Sequence, residues 1–201
     1  MADAKISSLT ALTGANVDMT ADVLEIIDTS VTTNKKILMS EVAAALCRQG
    51  TLSTTTGGTT IGFTGIPAWA TEVTISWVGL SSNGTSQWIV QIGDSGGYET
   101  SSYEANAGSR AGEVGLTTGF PLFSAAPVAA SVYSGSLTLI LQDAATFMWV
   151  VKNGSNAPVS GVPSFCQGYK ALSAAMDRIQ ITTAGGVNTF DVNGGVNIRY
   201  R

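Results

Sequence analysis

The chain has 201 residues, 14 acidic and 10 basic, for a net charge of −4, and only 12% of it is charged, about half the usual share of roughly 25%. Its 23 glycines, with many serines and threonines, stand in the place of charged residues, which suits tight turns and hydroxyl-rich strands and does not suit long solvent-exposed helices. No basic stripe exists to displace counterions from phosphates, and the longest apolar stretch, Ser136 to Val151, is cut by Gln142 and Asp143, so neither nucleic acid nor a membrane is an expected partner.

The opening Met-Ala-Asp-Ala-Lys lacks the apolar core of a signal peptide, which predicts a soluble product made in a cytoplasm. Lys5 to Asn16 spaces Ile6, Leu9 and Leu12 three apart among small polar residues. Asp22 to Asp28 and Lys35 to Met39 read as two short strands, with a polar loop at Thr29 to Asn34. Ser40 is a suitable N-cap for an alanine-rich helix from Glu41 to about Cys47, which ends before Gly50. A hairpin and two helical turns cannot hold together alone. Residues 1–50 are therefore expected to form a small α+β module that packs on something else.

Thr51 to Gly58 is a linker by composition, or a polar first strand. Strands are expected at Thr59 to Gly65, Glu72 to Gly79 and Gln87 to Gly93. In the second of these, Val73, Ile75 and Trp77 share one face. Asn83-Gly84 signals a hairpin between the last two. Leu137 to Leu141 and Phe147 to Val151 flank a second hairpin at Gln142 to Ala145, and both are apolar on both faces, as central strands would be. Arg178 to Thr182, Thr189 to Val192 and Val196 to Tyr200 follow, joined by glycine-rich turns. Residues 51–201 are thus expected to be a jelly-roll-like β-sandwich in a mainly β protein.

Gly96 to Ala130 is long, rich in Gly, Ser and Ala, and poorly patterned. Loops of that length in a compact domain are usually functional, so Tyr98, Tyr103 and Phe120 are candidate contacts for a binding partner. Trp69, Trp77, Trp88 and Trp149 stand in strand-like surroundings, which predicts core packing. Asn83-Gly-Thr85 and Asn153-Gly-Ser155 read as turns.

Gly93-Asp-Ser-Gly-Gly97 spells the sequence around the nucleophile of chymotrypsin-like serine proteases. That chemistry needs a histidine to take the serine's proton, and the chain has no histidine. None of the five lysines, at 5, 35, 36, 152 and 170, has a spacing that ties it to Ser95. The segment is read instead as a tight turn whose glycines supply positive φ. Asp94, Glu99 and Glu104 lie close in sequence, but such carboxylates more commonly solvate a loop than hold a cation. No catalytic residue, metal or other cofactor is expected. Cys47 and Cys166 make no metal-ligand pattern and are read as buried free thiols.

Two resemblances join these pieces. Lys5-Ile-Ser-Ser-Leu-Thr-Ala-Leu-Thr-Gly-Ala-Asn16, with the strands and alanine-rich segment that follow to Leu46, resembles the N-terminal module of many tailed-phage fibre and virion structural proteins. Phe63 to Pro67, Ser81 to Ser86, Val90 to Gly97, Asp177 to Thr183, Asn188 to Asp191 and Asn197 to Tyr200 are together similar to C-terminal domains of phage and prophage tail fibres. The resemblance implies a virion component made in the host cytoplasm, commonly a homotrimer. It would be mounted on other virion proteins by its N-terminal module, with Ile6, Leu9 and Leu12 as attachment candidates. It also implies that Gly93 to Gly97 is a recurrent, non-catalytic segment. Only Gln49 to Gly58 separates the two modules, where fibres of this kind carry a shaft. A short fibre, spike, head or neck appendage or decoration protein is therefore expected; the alternative is a receptor-binding tail fibre or tip protein that recognises a host-surface glycan or protein through Tyr98, Tyr103 and Phe120.

Overall fold

The structure is a computed structural model that describes residues 23–27, 34–38, 42, 45–158, 163–192 and 194–201. The chain divides into two compact units, Met1–Arg48 and Gln49–Arg201. In the first, β1 (Val23–Ile27) and β2 (Asn34–Leu38) pair antiparallel, from Val23 opposite Leu38 to Ile27 opposite Asn34. Ile6, Leu9 and Leu12 lie outside the described residues, as does much of the helix expected after Ser40. A two-residue strand, β3 (Arg48–Gln49), marks the boundary.

The second unit is a sandwich of two antiparallel sheets. Its strands are β4 (Ser53–Thr54), β5 (Thr60–Thr64), β6 (Glu72–Leu80), β7 (Trp88–Asp94), β8 (Gly97–Tyr98), β9 (Glu104–Ser109) and β10 (Gly112–Leu116). β11 (Phe120–Pro121), β12 (Tyr133–Asp143), β13 (Met148–Pro158), β14 (Ser164–Ala171), β15 (Arg178–Thr183) and β16 (Gly195–Tyr200) follow. The larger sheet runs β10-β9-β14-β13-β12-β6-β16, with β4 beside β16. The smaller runs β11-β7-β15-β5, with β8 beside β7. The expectation of a mainly β sandwich is met; this strand order does not by itself establish the narrower jelly-roll form.

The core lies between the sheets. Val73, Ile75 and Trp77 of β6, Leu137 and Leu139 of β12, and Val196 and Ile198 of β16 face Val90 and Ile92 of β7 and Ile179 and Ile181 of β15. In β6 two residues, Val78 and Gly79, stand opposite the single residue Ser134 of β12, whose hydroxyl accepts the Gly79 N–H at 3.2 Å. This bulge turns Leu80 back into the core after Trp77, three positions earlier. One end is filled by aromatic rings. Trp88 meets Phe123, Tyr133 and Phe190 edge to face with centroids 5.0–5.3 Å apart, and its indole N–H donates to Ser82 Oγ at 3.0 Å.

Several connections differ from expectation. The Asn83-Gly84 segment is not a hairpin: β6 belongs to the larger sheet and β7 to the smaller, so the chain crosses the sandwich there. β7 is buried along its whole length, because Thr118 and Gly119 cover Ile89 and Gln91 on the face that looks away from the core, and Gly97 and Tyr98 cover Gly93. A strand buried on both sides has to sit inside the smaller sheet, between β11 and β15. Asn83 instead exchanges backbone and side-chain hydrogen bonds with Thr189. Thr189 to Val192 accordingly forms only a single bridge, Phe190 to Ser82, and no strand. Asn153 to Ser155 lies within β13 rather than in a turn, since the β12–β13 hairpin is longer than its apolar stretch. Thr51 to Gly58 is tied to the sandwich: β4 pairs with β16, and buried Thr55 bonds Gly194 through backbone and hydroxyl. The hairpin at Gln142 to Ala145 forms as expected, with Asp143 accepting from the Ala145 N–H and the Thr146 hydroxyl.

Candidate ligand-binding face

The segment Gly96 to Ala130 is not a loop. It contains β8, β9, β10 and β11, and it adds a hairpin to one edge of the larger sheet before crossing to the smaller. Its strands escape the sequence pattern because alanine and glycine fill the inward positions. Ala105 and Ala107 are buried on β9, where Leu or Val would ordinarily mark a strand.

The receptor-contact assignment of Tyr103 and Phe120 is corrected by their burial. Both are wholly buried, with rings edge to face at 5.0 Å. The Tyr103 hydroxyl accepts the Ile92 N–H at 2.9 Å and donates toward the Ile92 and Glu99 carbonyls. Removal from water raises its pKa above the ordinary tyrosine value. Tyr98 is half-buried on the outer face of the smaller sheet, its ring 5.7 Å from the Arg178 guanidinium. A Cβ on Gly62 would lie 2.5 Å from its hydroxyl, so the ring rests on a glycine. Tyr103 and Phe120 thus meet in the core, and Tyr98 stands apart from them.

The serine-protease-like motif forms the β7–β8 turn. Gly93 pairs with Tyr98 and Asp94 with Gly97, leaving Ser95 and Gly96 at an exposed tip. Asp94 accepts from the Gly96 N–H at 2.9 Å and from the Ser173 hydroxyl at 2.6 Å. Those donors, Ser173 first, hold its carboxyl below the ordinary value of 3.8. Glu99 pairs with buried Lys170 at 3.4 Å. Among the described residues, no three His, Cys, Asp or Glu side chains gather as a metal site would require. Both cysteines are free; Cys166 is buried as expected, whereas Cys47 is exposed, which corrects the expectation for it. Burial pushes the Cys166 thiol up to about 12. Trp77, Trp88 and Trp149 are core residues, whereas Trp69 is half exposed beside Tyr200.

The surface feature that the fold itself does not use lies elsewhere, on the outer face of β14, β9 and β10. Along β14, Phe165, Gln167 and Tyr169 point outward while Ser164, Cys166 and Lys170 are buried. Phe165 is 56% exposed and Tyr169 46%, high for aromatic rings mid-strand. Register places Gly108 beside Phe165, Asn106 beside Gln167 and Glu104 beside Tyr169. On β10, Gly115 stands next to Asn106 and Glu113 next to Gly108. The glycines leave the middle of the face low between two rings. The result is two depressions of about 420 and 410 Å³ that meet at Asn106 and Gln167. Asn106 lies across Gly115, where a Cβ would come within 2.4 Å of its Oδ1.

This face was legible only as the Phe-Cys-Gln-Gly-Tyr alternation of residues 165–169. Its polarity is inverted: the aromatic positions are the outward ones, and the inward positions are too polar or small to announce a strand. No protein-family model matches the chain, and neither a curated protein nor a solved structure matches it.

Proposed function

We propose that this chain is a non-enzymatic structural protein of a phage virion, a short fibre, spike, head or neck appendage or decoration protein. Its first unit docks it to other virion proteins, and the chain assembles as a homotrimer. The observation that carries the proposal is the division into a small unit, Met1–Arg48, and a larger one, Gln49–Arg201, whose described strands form the sandwich. The order of fibre-like motifs along the chain supports the phage assignment, and a sequence without histidine supports a non-enzymatic role for Ser95. Deleting residues 1–48 tests it. The shortened chain should remain folded and fail to join particles, and incorporation at the full-length level would sink the proposal.

One observation favours the second reading, in which the sandwich also contacts the host. Exposed Phe165 and Tyr169 frame a depression on the larger sheet. In this reading the contact surface is that face, in place of Tyr98, Tyr103 and Phe120.

A further inference from the structure

We propose that the outer face of β14, β9 and β10 binds an uncharged glycan chain, an inference that deepens the host-contact reading by naming its ligand class. Phe165 and Tyr169 are the stacking surfaces, and Asn106 and Gln167 are the hydroxyl partners between them. The two rings sit four residues apart on one strand, roughly 13 Å at the usual rise per residue. That span fits a short run of sugar rings, whose C–H faces stack on exposed aromatics as other apolar groups do. Between the rings, each side-chain amide offers both donors and an acceptor, the pairing that a hydroxyl, itself donor and acceptor, satisfies best. The Asn106 and Gln167 side chains carry no hydrogen bond to any described residue, so both are available to a ligand.

Charge decides between sugars. Glu104 and Glu113 are exposed on this face, and among the described residues Arg110 is the one cation bordering its two depressions. Lys170 is buried on the opposite side of β14 and engaged with Glu99. A polyanion would meet more repulsion than attraction here. Size decides against a second copy of the chain. Three strands about 4.8 Å apart and roughly 13 Å long give a footprint on the order of 150 Å², far below the approximately 800 Å² per partner of a stable interface.

The test is calorimetric titration of the full chain with linear hexasaccharides of α- and β-linked glucose, mannose and N-acetylglucosamine, against a sulfated heparin hexasaccharide. At least one neutral oligosaccharide should bind saturably, one per chain, and the heparin fragment should not. Tyr169→Ala and Phe165→Ala should each weaken binding by about tenfold or more, Tyr169→Phe should retain it, and all three should melt like the parent. The proposal is overturned if no neutral oligosaccharide binds, if the sulfated one is preferred, or if the alanine variants bind normally. It is also overturned if the chain self-associates through this face and the variants abolish that association. Particle incorporation of the same variants is read separately. Lost glycan binding with normal incorporation leaves the virion role intact, and failed incorporation of the parent chain leaves a saturable site intact.

Discussion

Tyr103 shows how a residue reads differently once its surroundings are known. In sequence it is an aromatic in a glycine-rich stretch; in the fold its hydroxyl closes a buried gap against Ile92. Tyr103→Phe removes the acceptor from a buried N–H, which should cost about 1–3 kcal/mol in denaturant unfolding. Asp94 gives a pH dependence with a defined sign. Its folded pKa lies below the unfolded value of 3.8. The stability it contributes is therefore full above that value and is lost as pH falls through the folded pKa. Asp94→Asn should lower the melting temperature at pH 7, and the gap to the parent should shrink as melting is repeated below pH 4. A gap that stays constant with pH would show that the carboxylate's charge has no part in it.

At the scale of elements, the β7–β8 turn decides what the Gly-Asp-Ser-Gly-Gly segment is for. A Cβ on Gly93 would lie 2.0 Å from the Gly97 carbonyl oxygen, and Gly97 adopts φ 139°. Gly93→Ala should destabilise the fold by about 3 kcal/mol or more, whereas Ser95→Ala at the exposed tip should stay within about 0.5 kcal/mol. Equal effects would mean that the glycine is not what the turn requires. Where elements carry large alternating side chains, as β6 does with Val73, Ile75 and Trp77, sequence alone located them. β9 and β14 leave no apolar alternation in the sequence because Ala105, Ala107, Ser164 and Cys166 fill their inward positions. The same smallness hid the candidate face, since a strand that is not recognised cannot reveal which of its side chains point outward. Strand pairing was harder still. Asn83-Gly84 has the local chemistry of a hairpin, but burial of both faces of β7 takes that strand to the other sheet. Local turn preference gave way to the larger gain from burying Trp88, Ile89, Val90 and Ile92.

For the whole molecule, two units of unequal size share the chain, and each has a separate role in the proposed function. The sandwich owns a continuous core, so it is expected to fold without the first unit. The first unit has a single described hairpin, and a two-stranded hairpin is marginal by itself. In the proposed function the first unit gains its stability by packing on other virion proteins, and the sandwich is the part that projects. The most direct measurement is the amount of this chain on gradient-purified particles from the organism that encodes it, with full-length and residue 1–48-deleted forms compared. The virion proposal expects the full-length chain at a fixed copy number divisible by three, and the deleted form folded in solution but missing from particles. A full-length chain that stays in solution, or a deleted form that still loads, would contradict it.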